Sequence, residues 1–230
     1  MIVRYALTII AATTAGIGCG NTVRHLPGGY DTTPMATLPF DTDTSHRRLA
    51  VAVNRSGGYH PDESSTAGEI SYSIGKDRSW NRTSLKAFAY GGAYEFDSLV
   101  FGLGEREAFY GAGLLATGDL TLRLGSVISI GLGGTYGFLF EFGPYTGAFP
   151  EASDIHVWPV VVAHEYITAR IGSSTQIDLH IGVGIPGFAF YEIAFFHHRW
   201  GLNLGAGAGL GIGGEEPGSG RITAGLSYGL

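Results

Sequence analysis

From residue 47 onward the chain alternates apolar and polar positions with a period of two. "RLAVAVN" puts Leu49, Val51 and Val53 on one face. "DLTLRLG" sets Leu120, Leu122 and Leu124 against Thr121 and Arg123. "SVISIGLGGTYGFLF" sets Ile128, Ile130, Leu132, Tyr136, Phe138 and Phe140 against Ser129, Thr135 and three glycines. "STQIDLHIGVGI" separates Ile177, Leu179, Ile181 and Val183 from Gln176, Asp178 and His180. "RWGLNLGAGAGLGI" opposes leucines and alanines to Arg199, Asn203 and a run of glycines. A period of two is the signature of strands with two different faces.

Breaks at "HPDESSTAG", "GKDRSWNRTS", "GPYTGAFPEASD" and "GGEEPGSG" read as loops. Strands are predicted near 47–55, 66–76, 83–96, 98–116, 119–125, 127–140, 155–171, 174–185, 199–212 and 221–230. That makes ten. If 98–125 is one strand the count is nine, and a closed single-chain barrel needs an even number, so another break would then be misplaced. Eight and ten are both open. The segment "FAFYEIAFFHHRW" is read as an aromatic loop or strand rim.

Many of these strands run to about ten residues, the length that crosses a bilayer when tilted. A sheet in lipid has to close, because no water is there to satisfy an open edge. The expectation is an all-β fold: a closed antiparallel transmembrane β-barrel of eight or ten strands over residues 47–230.

The last ten residues, "RITAGLSYGL", place Ile222, Ala224, Leu226, Tyr228 and Leu230 on one face. This terminal strand resembles that of bacterial outer-membrane β-barrels, with Leu230 where a final Phe is usual. The resemblance implies location in the outer membrane, with outer-membrane lipids around the barrel.

The N-terminus "MIVRYALTIIAATTAGIGCGN" has a basic residue, a short apolar run and a small-residue exit. It reads as an export signal over 1–18. "GIGC" resembles a bacterial lipoprotein box, with Gly16 where a larger apolar residue is usual. That resemblance implies cleavage before Cys19 and lipidation of its thiol and new amino group. Residues 19–46, rich in Pro, Gly, Thr and Asp, read as a flexible arm.

The 230 residues include 38 glycines, and the net charge is -6. Glycine is at more than twice its usual share. On the strand from 199 to 212, Gly201, Gly205, Gly207, Gly209 and Gly211 accommodate tight curvature, a bulky side chain, or a ligand; curvature is the preferred reading. The acidic balance and the lack of a basic aromatic motif speak against nucleic acid. "GLGEREAFYG" lacks the spacing of a phosphate loop.

Candidate chemistry centres on "DIHVWPVVVAHEYITARIGSSTQIDLHIG". A tight turn near Gly172-Ser173 pairs residues whose numbers sum to about 344. Thr168 then faces Gln176, Tyr166 faces Asp178, and His164 faces His180. His164, His180 and Asp178 are the candidate catalytic set, joined by Tyr166 and Arg170. A serine beside one histidine would make a lipid or acyl-ester modifying site; Ser129, Ser173 and Ser174 are available. No third metal ligand is evident, and no cofactor is expected. The preferred reading of the cluster is a hydrogen-bonded lumen filling. Glu165 breaks the pattern by falling on the apolar face.

Phe188, Phe190, Tyr191, Phe195 and Phe196 are candidates for partner contact, with other envelope proteins as the partners. The function expected is a structural or interaction barrel, a lipid-anchored subunit of an envelope assembly. The alternatives are the acyl-ester enzyme and a narrow channel or carrier for a small apolar solute.

Overall fold

In the computed structural model, residues 45–57, 63–78, 80–96, 106–143, 155–185, 188–209 and 220–230 are described. The predicted signal, Cys19 and nearly all of the arm lie outside them. Ten strands form one closed barrel. They are β1 (Ser45–Gly57), β2 (Glu63–Asp77), β3 (Asn81–Phe96), β4 (Arg106–Leu124), β5 (Ile128–Phe142), β6 (Ile155–Ile171), β7 (Thr175–Ile185), β8 (Phe188–His197), β9 (Trp200–Gly209) and β10 (Gly220–Gly229). Each strand pairs antiparallel with its neighbours in sequence, and β1 pairs with β10 to close the ring.

The predicted count of ten was reached through two compensating errors. Thr117-Gly118 is not a break: β4 runs unbroken through it, paired to β3 and β5 along its length. The segment read as an aromatic rim is strand β8. Its alternation was hidden because both faces are apolar: Tyr191, Ile193 and Phe195 point out while Ala194 and Phe196 point in, and Glu192 alone marks the inner face.

The alternation decides which side of the sheet meets lipid. Leu49, Val51, Val53, Ile130, Leu132, Ile181, Leu202 and Leu204 are exposed on the outside, while Arg48, Asn54, Ser129, His180 and Thr223 are buried inside. A closed ladder leaves no unpaired edge, so the apolar exterior can sit in hydrocarbon. Trp200 and Tyr228 pack edge to face at 4.9 Å on the outer surface, a pairing suited to the membrane-water boundary.

The two ends of the barrel differ. The connections at one end span only 78–80, 125–127, 172–174 and 198–199. Those at the other include 97–105, 143–154 and 210–219. Gly125 and Gly172 supply left-handed backbone at two of the short turns, with φ of 73° and 69°.

Candidate functional site

The barrel interior is chemically layered. Toward the long-connection end lies an apolar cluster of Ala67, Phe88, Tyr90, Phe109, Leu115, Leu139, Val160 and Val162, with Phe190 packed against it. These residues project from the long strands β2–β6 and from β8. Toward the short turns the lining is polar and charged. Barrel interiors are polar as a rule, so the apolar half is the departure.

Glycines make this filling fit. Lumen rings lie directly across a strand pair from a glycine: Phe88 over Gly113, Tyr90 over Gly111, Tyr166 over Gly131, Phe196 over Gly201, and Phe190 over Gly182. A Cβ at any of these glycines would overlap the ring. On β9, a Cβ at Gly201 would meet Ser227 Oγ and the Phe196 ring, whereas a Cβ at Gly207 would meet the backbone carbonyl oxygen of Ala189 at 2.6 Å. A neighbouring side chain thus accounts for Gly201, and the close approach of the β8 backbone accounts for Gly207.

The charged layer is tied together across strands. Lys86 Nζ lies 2.5 Å from Glu69 Oε1, both buried, and 5.1 Å from the centre of the Phe88 ring. Asp77 stands between Arg82 at 3.9 Å and Arg123 at 3.8 Å. The Arg82 guanidinium lies 4.9 Å from the centre of the Tyr166 ring. Arg48 donates to Ser227 Oγ at 2.6 Å and stands 4.6 Å from the centre of the Phe196 ring. The sequence reading placed Arg123 on the polar face of its strand but did not single out Arg48, Glu69, Asp77, Arg82 or Asp119. The available signal was simple: each occupies the minority polar face of an alternating strand.

His164, Tyr166 and His180 do come together. Their rings are 5.2–6.5 Å apart, with Tyr166 stacked on His180. The pairing differs from the expected one. The turn is the three-residue loop Gly172-Ser173-Ser174, so paired residues sum to 346: Tyr166 faces His180, Thr168 faces Asp178, Arg170 faces Gln176 and His164 faces Gly182. A shift of two preserves the face, so the cluster survives although its cross-strand partners change.

Asp178 is fully buried and accepts from Gln176 Nε2 at both carboxylate oxygens, at 2.8 and 3.0 Å. Tyr166 and Thr121 hydroxyls are 2.5 Å apart.

The geometry needed for acyl transfer is a serine held by a histidine. His164 Nε2 instead lies 2.8 Å from Asp119 Oδ1. Its Nδ1, and both nitrogens of His180, have no hydrogen-bond partner among the described residues. Ser129 is buried with its hydroxyl unpartnered, and Ser173 and Ser174 sit in the turn. The described hydrogen bonds join no serine to either histidine. Among the described residues no group of three metal-binding side chains is assembled.

The five aromatic contact candidates split between faces. Tyr191 and Phe195 are on the outside, 58% and 44% exposed, whereas Phe196 is 4% exposed in the lumen and Phe190 packs on the apolar cluster. Phe188 begins β8, and its side chain lies outside the described set, as does that of Trp158. These residues therefore do not make one continuous outward surface.

Glu165 is on the exterior as the pattern indicated. It pairs with Leu132 and Ile181 and is followed on the same face by Ile167 and Ile171. A carboxylate facing lipid is destabilising. Glu165→Leu is expected to stabilise the barrel by about 1 kcal/mol, read from urea unfolding in lipid vesicles; an unchanged or lower stability would mean that the carboxylate is solvated or held.

No protein-family model and no curated protein matches the sequence. Solved barrels do resemble its fold. Neisserial surface protein A has 11% identity, covering 80% of this chain and 96% of its own, with a TM-score of 0.39. The NanC porin has 12% identity over 79% and 100%, with a TM-score of 0.40. The outer membrane protein OprG of Pseudomonas aeruginosa has 7% identity over 82% and 97%, with a TM-score of 0.41. Such likenesses concern architecture alone. The closed antiparallel ladder, apolar outside, polar layer inside and unequal connections are the architecture of bacterial outer-membrane barrels, and they place this protein in that membrane.

Proposed function

We propose that the barrel is a narrow channel or carrier for small apolar solutes. The observation that carries this reading is the apolar cluster inside the barrel, built from Phe88, Tyr90, Phe109, Leu139 and Val160. A scaffold needs only a packed lumen, and polar groups serve that purpose in other barrels. Apolar lining toward the long connections gives a hydrocarbon or aromatic solute a place to leave water. By the usual arrangement, the long connections face outward and the short turns face the periplasm. An export signal over 1–18 suits that destination; lipidation at Cys19 would add a tether, and both belong to the proposal.

The test is entry of N-phenylnaphthylamine, which fluoresces in apolar surroundings, into cells with and without the barrel. Entry should be several-fold faster with the barrel and fall back in Leu139→Asp, provided that the variant still shows the heat-modifiable gel mobility of a folded barrel. Equal entry with and without the protein would refute a transport role.

A further inference from the structure

We infer that the solute is amphipathic, with an apolar body and a protonated amine, and that Glu192 receives its head group. The inference rests on the apolar-solute reading and refines it. The floor of the apolar cluster is formed by polar groups with unspent hydrogen-bonding capacity. Glu192 precedes Ala194 on the inner face of β8 and follows Phe190, a member of the apolar packing. It is 3% exposed, and its Oε1 has no hydrogen-bond partner among the described residues.

Three further groups share this level. His180 is directly paired with Glu192 and has neither nitrogen bonded. Glu69 is paired with Tyr90 and has Oε2 unpartnered. Asn54 is paired with Ala67 and has both amide atoms unpartnered. All three are buried. Buried polar atoms are nearly always satisfied in native proteins. Here the unsatisfied set is richer in acceptors than in donors, and two of its members are carboxylates. A head group with several N–H donors and a positive charge is the complement.

Asn203 hydrogen-bonds to Glu192, and Lys86 and Arg221 act on it electrostatically, so the unspent capacity of this carboxyl group is that of Oε1. Yet Lys86 is already committed to Glu69. The packing beside Glu192 supplies the second observation. Gly205 is paired directly with Glu192. Unlike Gly201 and Gly182, it carries no ring: a Cβ there would come no nearer than 3.4 Å to any atom, the carbonyl oxygen of Tyr191. A side chain added there would rest in ordinary contact on the Cβ and Cγ of Glu192, at 3.8 Å, so the position beside the carboxyl group is not taken by a ring.

The test is equilibrium binding to the folded full-length barrel in detergent, using phenethylammonium and its neutral isostere phenethyl alcohol. The amine should bind about tenfold more tightly or better, the margin of a charge-assisted hydrogen bond. Glu192→Gln should remove the preference, bringing the amine's affinity down to about that of the alcohol. Gly205→Leu should weaken both, with heat-modifiable mobility retained. Equal affinity for amine and alcohol, both weakened by Gly205→Leu, would overturn the amine inference and leave the apolar-solute reading standing. Binding of neither would overturn both.

Discussion

Lys86→Met, made alone, is expected to cost the barrel about 3–5 kcal/mol, the usual penalty for stripping one partner from a buried ion pair. The Lys86 ammonium and the Glu69 carboxylate are both enclosed in the lumen, 2.5 Å apart. Without Lys86, the Glu69 carboxyl group is left without its cation in a poorly hydrated interior, where its second oxygen already has no hydrogen-bond partner among the described residues. The double variant Lys86→Met with Glu69→Met should recover more than half of the loss, because the Glu69 carboxylate is removed together with its ammonium and the thioethers extend the packing around Phe88. The measurement is the free energy of urea unfolding in vesicles for wild type, both single variants and the double. A double variant as unstable as Lys86→Met would show that the ammonium matters for some contact other than Glu69.

A second large effect is expected at Gly131. Tyr166 covers this glycine, and the ring is held on several sides: its hydroxyl by Thr121 at 2.5 Å, its face by His180 at 5.2 Å between centres, and its π system by Arg82 at 4.9 Å. A side chain at 131 has to displace a ring that cannot swing aside without breaking these contacts. Gly131→Val should therefore cost about 3 kcal/mol or more, at the upper end of overpacking effects. The matched control is Gly118→Val on the lipid face, where an added Cβ meets nothing within 4 Å. It should lie within about 0.5 kcal/mol of wild type. The cost at 131 should shrink in a Tyr166→Ala background, since the two residues contend for one space. If Gly131→Val were as mild as Gly118→Val, the ring would not be fixed there.

These two sites mark what the sequence could and could not reveal. Alternation such as Ile128 to Phe140 fixed the strand class, the lipid-facing side and the closed sheet, because burial on one face imposes a strict period. It failed where both faces are apolar, as in β8, and where Thr117-Gly118 mimicked a turn inside β4. Parity still carried information: merging 98–125 into one strand required another break to be wrong, and β8 is where it was.

The histidine cluster was legible because a two-residue register shift keeps faces intact, whereas the partners of Tyr166 and His164 were not, because they depend on the length of the 172–174 loop. The lumen network was less legible still. Lys86–Glu69 and His164–Asp119 join strands whose relative stagger is not written in any local pattern. The same is true of rings over glycines: each glycine was visible, but the ring that fills its space lies on another strand.

The order of strand pairing has a consequence for how the molecule comes into being. Nine of its ten ladders join consecutive strands and need only local chain closure, while the tenth joins β1 to β10, as in the Arg48–Ser227 contact spanning 179 positions. Local ladders form quickly and the distant one last. A nascent sheet thus carries two long unsatisfied borders, each a template for a foreign strand. Chaperoning during export has to guard that seam until β10 arrives, and the rate of maturation will be set by one late ladder rather than by the other nine.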